Sequence, residues 1–318
     1  MNKIAIQKAA KRIRPYILET PLLYSPFLSK ATSAKVYLKL ESEQVTGSFK
    51  IRGAFNKLLS LTSNEKRHGI ITASTGNHGA AVAYGMQKLN IKGTIYLPNN
   101  ASAPKVEAIK YYGPDIEFYG DESVDTEIRA REVAEKKNKV FISPYNDPEI
   151  IAGQGTVGLE IANSLPNIDA VFVPVGGGGL IAGIASYMKQ GNHHVRIFGC
   201  EPAASAVMAA SIRAGKVLQM KTYPTLSNAT AGGMESDAIT FGVCKRLVDG
   251  YYTLTENEIG KAVFIAITKL HKVFEGAGAL PVAALFKNRK KFQNKTVVLV
   301  VSGSNLATGD LKRIVCSA

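Results

Sequence analysis

The sequence predicts an α/β protein with mostly parallel sheets, in a two-lobed, three-layer fold. Short β-branched runs alternate with segments of helical periodicity, which is the pattern of repeated strand–helix units. Runs such as VVLVV at 297–301 are continuously apolar, as strands covered by helices on both faces require. The length of 318 residues also exceeds what a single core usually holds, about 250 to 300 residues, so two lobes are expected.

Seven strand–helix pairs can be identified in order along the chain. The first four are KVYLKLE with IRGAFNKLLSL, GIITA with NHGAAVAYGMQKL, GTIYLP with APKVEAIKYYG, and IEFYG with the charged run 124–137. The last three are AVFVPV with LIAGIASYMKQ, VRIFGCE with AASAVMAASIRAG, and KTVVLVVSG with NLATGDLKRIV. We expect residues 69–146 to form a small domain inserted into a large domain of residues 1–68 and 147–318, with the ligand between them.

The charge and the cysteine content limit the function. Lys and Arg total 39 against 25 Asp and Glu, which suits an anionic partner. The basic residues are dispersed, however, and their densest runs, at 134–140 and 287–291, accompany no groove-reading motif. A phosphate-bearing or carboxylate ligand is therefore favoured over nucleic acid. The cysteines Cys200, Cys244 and Cys316 have no metal-like or paired spacing, which fits a cytoplasmic protein.

Neither a membrane span nor a signal peptide is expected. The longest uncharged stretch, residues 170–188, is long enough for a span, but it contains Pro174 and four consecutive glycines. Residues 1–20 alternate charged and apolar side chains and lack the uncharged core of a signal peptide.

Three loops that follow predicted strands have an unusual composition. They are STGNHG at 74–79, GGGG at 176–179 and SGSN at 302–305. Ligands of parallel sheets bind outside the carboxyl ends of the strands, where backbone amides at the start of the next helix are free. We therefore expect these loops to surround one ligand.

Each loop allows a chemical and a purely structural interpretation. Consecutive glycines let several amides surround a phosphate, or they form a tight turn with close helix packing. Their spacing matches neither GxxxxGK[ST] nor a first-strand GxGxxG, so a nucleotide is not favoured. STGNHG could hold a carboxylate or cap a helix. Ser302 could meet a ring nitrogen or cap a helix, and His78 is interpreted as a structural partner of its loop.

Lys50 lies in TGSFKIRGAF, between an aromatic residue and an isoleucine. An exposed lysine at the start of a helix is the ordinary explanation for such a residue. A buried lysine near a phosphate site, a carboxylate loop and a strand-end hydroxyl instead suggests Schiff-base chemistry. Pyridoxal phosphate is the cofactor that combines an aldehyde with a phosphate.

The ordered set GSFKIRGA, STGNHG, IAGQGTVGLEI, VPVGGGG and VSGSN resembles the fold-type II pyridoxal phosphate enzymes, which have the tryptophan synthase β-like fold. It most resembles the threonine/serine dehydratase and serine racemase family, over essentially the whole chain. The resemblance implies that Lys50 holds the cofactor covalently, that Phe49 packs near its ring and that Asn77 hydrogen-bonds the ring hydroxyl.

The resemblance also implies the other site residues. The phosphate would be cradled by Gly176, Gly177, Gly178 and Gly179. Ser302 would face the ring nitrogen and Glu275 would lie near the ring. The substrate carboxylate would bind to Ser74, Thr75, Gly76 and His78. Lys50 would take the α-proton, and the neutral Ser302 would favour prompt loss of a β-hydroxyl, giving a 2-oxo acid and ammonia from L-threonine or L-serine.

Some positions depart from the family pattern. Thr75 replaces the serine with which racemases act on the second face of the substrate. Glu201 matches the first ligand of a divalent-metal site, but Val207 replaces a later aspartate, so no metal site of that kind is expected. Asn228 and Ala229 alter a segment often written T-x-A-D-G. A serine racemase, a lyase of hydroxyaspartate or of another catabolic amino acid, and a β-replacement synthase remain alternatives, and a homodimer is what the family implies.

Overall fold

The computed structural model describes residues 2–190 and 194–316, in which ten strands and fourteen α-helices are found. The strands are β1 (Leu22–Tyr24), β2 (Lys35–Leu40), β3 (Ile70–Ala73), β4 (Gly93–Leu97), β5 (Asp115–Phe118), β6 (Val140–Phe141), β7 (Ala170–Pro174), β8 (Arg196–Pro202), β9 (Gly250–Leu254) and β10 (Thr296–Val301). The helices are α1 (Lys3–Ile13), α2 (Pro26–Thr32), α3 (Lys50–Ser60), α4 (Ser63–His68), α5 (Asn77–Leu89), α6 (Ala103–Lys110), α7 (Ser123–Lys136), α8 (Pro148–Ser164), α9 (Gly179–Met188), α10 (Val207–Ala214), α11 (Ile239–Leu247), α12 (Glu256–Lys269), α13 (Gly276–Asn288) and α14 (Thr308–Cys316).

The strands form two sheets. A six-stranded sheet has the order β1-β2-β10-β7-β8-β9, and a four-stranded sheet has the order β5-β4-β3-β6. The β1–β2 pair is antiparallel, and the other strand pairs among the described residues are parallel. The prediction of an α/β fold with mostly parallel sheets is therefore confirmed.

Helices cover both faces of the six-stranded sheet. Along β10, Val297 and Leu299 pack in a core with residues of α12 and α13, whereas Val298 and Val300 pack in a core with residues of α8 and α9. Successive strand residues point to opposite faces, so burial on both sides requires the continuous apolar run that the sequence shows. This arrangement gives the three layers.

The loops at the carboxyl ends of the strands differ in one respect from the prediction. The STGNHG and GGGG loops lead directly into α5 and α9. The SGSN loop does not, because α14 begins only at Thr308. Ser302 therefore cannot cap that helix, and the capping interpretation of Ser302 is wrong.

Within residues 2–190 and 194–316, no helix has both the length and the apolar character that a membrane span requires.

Candidate active site

The segment that carries Lys50 lies against the end of β10. Gly47 has a φ of +70°, a left-handed turn conformation that glycine adopts readily. After this turn, Ser48 forms an antiparallel bridge with Gly303, and the Phe49 amide donates to the Ser302 carbonyl at 3.0 Å. The two motifs are thereby joined, and Lys50 begins α3 next to the end of β10, where Ser302 is buried.

The region between the end of β10 and the chain that follows β6 is called the cleft here, and the Lys50 amine lies in it. Its Nζ donates to the Pro144 carbonyl at 2.8 Å, in the segment that leads from β6 to α8. Burial lowers the pKa of Lys50 to about 8, and the charge of Glu275 opposes part of this effect. An amine with such a pKa loses its proton more readily than a surface lysine, so it is suited to attack an aldehyde.

The glycine loop lies beside the same segment. A Cβ built on Gly177 would lie 2.4 Å from the Tyr145 ring, and one on Gly176 would lie 3.0 Å from the Thr230 carbonyl oxygen. Gly178 has a φ of +87° and precedes the first residue of α9, a helix of 10 residues. Close packing therefore requires these glycines, and the amides at the helix N-terminus form a cradle that suits a phosphate.

Asn77 and Glu275 form a buried pair at the start of α5 and α13. Asn77 Nδ2 donates to Glu275 Oε1 at 2.8 Å. Burial raises the pKa of Glu275 to about 7, although the hydrogen bond from Asn77 acts in the opposite direction. The pair connects the four-stranded sheet with the six-stranded sheet.

His78 is neutral at physiological pH. Burial, and then the charge of Lys50, lower the pKa of His78 to about 3. Its Nε2 lies 3.1 Å from the Ile142 carbonyl oxygen, which can only accept, so Nε2 carries the hydrogen. This contact fixes the histidine to the chain that follows β6.

The residues of the carboxylate loop lie at the open side of α5. Ser74 and Thr75 are partly exposed, and Gly76 is exposed. Ser74 Oγ accepts from the Gly76 amide at 3.2 Å, and no described side chain caps α5, which has Gly76 at its N-cap. The capping interpretation of this loop is therefore wrong, and the free amides of α5 remain available to an anion.

Glu201 lies apart from this cleft, at the end of β8. Its two carboxylate oxygens accept from the amides of Met208 and Ala209 at 3.0 and 2.9 Å. The side chain is buried, and burial raises its pKa to about 7. Val207, at the start of α10, supplies no oxygen ligand, and the described residues contain no group of three acidic, histidine or cysteine side chains placed to hold a metal.

Several residues of the cleft were not identified from the sequence. Pro144 and Tyr145 lie in SPYNDP, just before α8. The composition of this segment indicates a loop but not a role in the site. Asn305 lies in the SGSN motif, but no role was assigned to it. The structure places its Nδ2 2.7 Å from Asn77 Oδ1.

The residues present fit a phosphate-bearing aldehyde. The Lys50 amine and the glycine cradle are joined by Pro144, which accepts from Lys50, and by Tyr145, which packs on Gly177. Asn77, Glu275 and Ser302 supply neutral or titratable groups around the same cleft. This combination can hold a ring, its phosphate and a covalent link at once.

Known proteins similar to this chain support the same chemistry. Residues 13–303 match the family described as pyridoxal-phosphate dependent enzyme. An L-threonine ammonia-lyase from Thermotoga maritima is 38% identical over 98% of this chain and 77% of its own length. The catabolic L-threonine dehydratase TdcB from Escherichia coli strain K12 is 39% identical over 97% of this chain and 93% of its own length.

Solved structures that are similar to this chain come from the same kind of enzyme. Maize serine racemase is 32% identical, with a TM-score of 0.93 over 99% of this chain and 97% of that chain. The processed threonine deaminase isoform 2 from Solanum lycopersicum is also 32% identical, with a TM-score of 0.92 over 100% of this chain and 94% of that chain. This chain therefore belongs to the family of pyridoxal-phosphate dependent enzymes.

Proposed function

We propose that this protein is an ammonia-lyase that converts a β-hydroxy amino acid, L-threonine or L-serine, into a 2-oxo acid and ammonia. The observation that carries the proposal is the Lys50 amine, whose pKa burial lowers to about 8, in a cleft that also contains the glycine cradle. The relatives named as threonine ammonia-lyase and threonine dehydratase support the choice of substrate.

Lys50 has two roles in this proposal. It would anchor pyridoxal phosphate covalently, and its amine would take the α-proton of the bound substrate. When bound, the cofactor supplies a conjugated ring that delocalises the electrons left on the α-carbon. Phe49 would pack beside this ring, which fits its position in the chain next to Lys50 and its partly buried side chain.

The other proposed cofactor contacts are supported by the positions of the loops. The phosphate is assigned to the glycine cradle, Gly176, Gly177, Gly178 and Gly179. The Asn77 amide is assigned to the ring hydroxyl, with Glu275 next to it at 2.8 Å. Ser302 is assigned to the ring nitrogen. A neutral hydroxyl does not hold that nitrogen protonated, which favours elimination over long-lived carbanion chemistry.

The substrate carboxylate is assigned to the open end of α5, formed by Ser74, Thr75, Gly76 and His78. The exposed loop and the uncapped helix N-terminus support this assignment. His78 contributes through its contact with Ile142, which holds the loop in place. We also propose the division into a small domain, 69–146, and a large domain, 1–68 with 147–318, because the four-stranded sheet lies entirely within the former.

A serine racemase is the second candidate. Thr75 retains a hydroxyl beside the same helix N-terminus, and maize serine racemase has the same overall fold. A racemase would return a proton to the opposite face of the α-carbon. The threonine hydroxyl is more hindered than that of serine, so we expect elimination to dominate.

A homodimer in the cytoplasm is also proposed. The edge strand β1 and the following α2 expose Leu23, Tyr24 and Phe27, a surface that a second copy would cover. Light scattering that gives the monomer mass at micromolar concentration would contradict the dimer. Recovery of the native protein outside the cytoplasmic fraction of its host would contradict the location.

The function is tested by incubating the purified holoenzyme with L-threonine, L-serine and threo-3-hydroxyaspartate. We expect 2-oxo acid and ammonia in equal amounts from one of the first two, with no enrichment of the D-amino acid in the remaining substrate. If hydroxyaspartate is turned over fastest, the proposed substrate is wrong and hydroxyaspartate takes its place. If D-serine forms from L-serine faster than oxo acid does, the main reaction is racemisation and not elimination.

The glycine cradle gives a separate prediction. Gly177→Ala is expected to weaken pyridoxal phosphate binding by at least about tenfold, because the new methyl group meets the Tyr145 ring and displaces one side of the cradle. The affinity is measured by titrating the apo-protein and following the visible absorbance. The control is Gly242→Ala in α11, where nothing lies within 4 Å of an added Cβ. Equal affinities for both variants would show that Gly177 does not shape the cradle.

A further inference from the structure

The side chain of Asn305 belongs to a directed chain of hydrogen bonds that ends at the proposed cofactor contact. Asn305 Nδ2 donates to the Thr46 carbonyl at 3.0 Å and to Asn77 Oδ1 at 2.7 Å. Asn77 Nδ2 then donates to Glu275 Oε1 at 2.8 Å. The four residues come from four separate segments of the chain, and Asn77 and Glu275 are buried.

The two ends of this chain fix its direction. A backbone carbonyl such as that of Thr46 can only accept, so the Asn305 amide must turn its nitrogen toward Thr46. The same nitrogen faces Asn77, which must therefore present its oxygen. The nitrogen of Asn77 is left to face the carboxylate of Glu275, an acceptor when ionised. Every amide orientation thus follows from the acceptor at Thr46.

The backbone holds Asn305 in this position. Its own amide hydrogen donates to the carboxylate of Glu275, and the Glu275 amide donates to the Gly303 carbonyl at 3.1 Å. A Cβ on Gly47 would lie 2.6 Å from Asn305 Oδ1. Gly47, whose φ is also positive, therefore leaves the space that the Asn305 side chain occupies. This gives a reason for the glycine in TGSFK that is independent of Lys50.

We propose that Asn305 is a positioning residue that holds the Asn77 amide with its nitrogen turned toward Glu275 and the cofactor ring. This inference rests on the proposed contact between Asn77 and the ring hydroxyl. A rotated Asn77 would present its oxygen to the ring oxygen, and the donor would be lost. Asn305 acts only through Asn77 and Glu275, and it is not assigned any contact with the substrate.

The inference is tested with Asn305→Asp, which keeps the shape of the side chain but replaces its donor with an acceptor. The carboxylate would face two acceptors, the Thr46 carbonyl and Asn77 Oδ1, and the Asn77 amide would rotate. Asn305→Ala removes the donor without reversing it, so its effect should be smaller. Asn64→Asp, on the exposed surface of α4, is the control for the added charge.

The main readout is the visible absorbance of the cofactor bound to Lys50, titrated with pH. In Asn305→Asp we expect the midpoint to move to higher pH by about one unit or more. In the wild-type protein the Asn77 donor stabilises the negative ring oxygen at high pH, and the variant lacks this donor. The kcat for oxo acid release should fall at least about tenfold, with KM changed less than kcat. Asn305→Ala should shift the midpoint in the same direction by less, and Asn64→Asp should not shift it.

Two results would overturn the inference. One is an unchanged midpoint in Asn305→Ala, which is measurable even if the aspartate variant fails to fold. The other is an equal shift in both variants, since reversal of the Asn77 amide should add to the loss of the donor. The titration needs only the bound cofactor. If the variants show these shifts while the wild-type protein releases no oxo acid, the proposed reaction is contradicted and the role of Asn305 stays intact.

Discussion

Lys50→Ala is expected to lower kcat/KM for 2-oxo acid release by at least about 10³-fold. In the proposed mechanism the variant loses the covalent anchor of the cofactor and the base that takes the α-proton, and no other described lysine lies at hydrogen-bonding distance from the Pro144 carbonyl. We expect pyridoxal phosphate still to bind without a covalent link, through the contacts proposed for Asn77 and the glycine cradle. The measurement is oxo acid release from L-threonine and L-serine, with the bound cofactor quantified in the same samples.

The matched control is Lys88→Ala, an exposed lysine near the end of α5. It should retain the wild-type rate, because its removal changes the net charge but not the cleft. Far-ultraviolet circular dichroism of both variants checks that the fold is kept. If folded Lys50→Ala protein keeps more than about a tenth of the wild-type kcat/KM, Lys50 is neither the anchor nor the base.

The lowered pKa explains why this lysine suits the role. With a pKa of about 8, roughly a tenth of the Lys50 side chains are neutral at pH 7, whereas less than about a thousandth of ordinary lysines are. Only the neutral amine attacks an aldehyde. Glu275 limits the decrease because its charge favours the protonated amine. The local environment therefore balances reactivity against the cost of burying a charge.

Much of the fold could be predicted because its signals are local. All seven predicted strand–helix pairs are present, since each depends on an apolar run and a helical period within about twenty residues. The strands β1, β6 and β9, each at the edge of a sheet, were not predicted. β1 has only 3 residues, two of them exposed, and no residue of β9 except Leu254 is fully buried. Edge strands of this kind lack the continuous apolar signal of the central strands.

The site could be predicted only in part, because only some of its features are local in the sequence. The loops around Lys50, Asn77 and the glycines could be found from composition and order. The partners of these loops could not, because the hydrogen bond between Asn305 and Asn77 joins residues 228 positions apart. A sequence motif marks such a residue without indicating which way its amide points. Geometry alone supplies that information.

Arg52 is the clearest example of a residue whose role was hidden. It follows Lys50 by two positions, so the two side chains leave α3 about 200° apart. Lys50 faces the cleft, and Arg52 is fully buried on the other side, where it forms bidentate pairs with Glu41 at 2.7 and 2.8 Å and with Glu160 at 2.6 and 2.7 Å. Lys39 completes the cluster with a 2.5 Å contact to Glu160.

The four side chains form a neutral cluster that fixes the start of α3. Two positive and two negative charges are shielded from water, and Thr20 and Thr156 add hydrogen bonds to it. Rotating α3 by about 10° would move an atom about 8 Å from its axis by more than about 1 Å, and a displacement of that size is enough to impair catalysis. The anchor on one side of the helix thus sets the position of the amine on the other.

Arg52→Met is expected to lower the free energy of unfolding by about 3–5 kcal/mol, because two buried carboxylates are left with Lys39 as their one positively charged partner in the cluster. The stability is measured by urea denaturation of the apo-protein, followed by circular dichroism. The exposed Arg129→Met, whose contact with Glu132 is 3.5 Å long, should cost less than about 1 kcal/mol.

The double variant Arg52→Met/Glu41→Gln separates charge from packing. It leaves the neutral pair of Lys39 and Glu160, so we expect it to regain at least about half of the stability lost in the single variant. A double variant that is less stable than Arg52→Met would mean that the hydrogen bonds of Glu41 matter more than the uncompensated charge. A recovered double variant that still releases oxo acid slowly would show that Arg52 also positions Lys50, because stability alone would then not account for the rate.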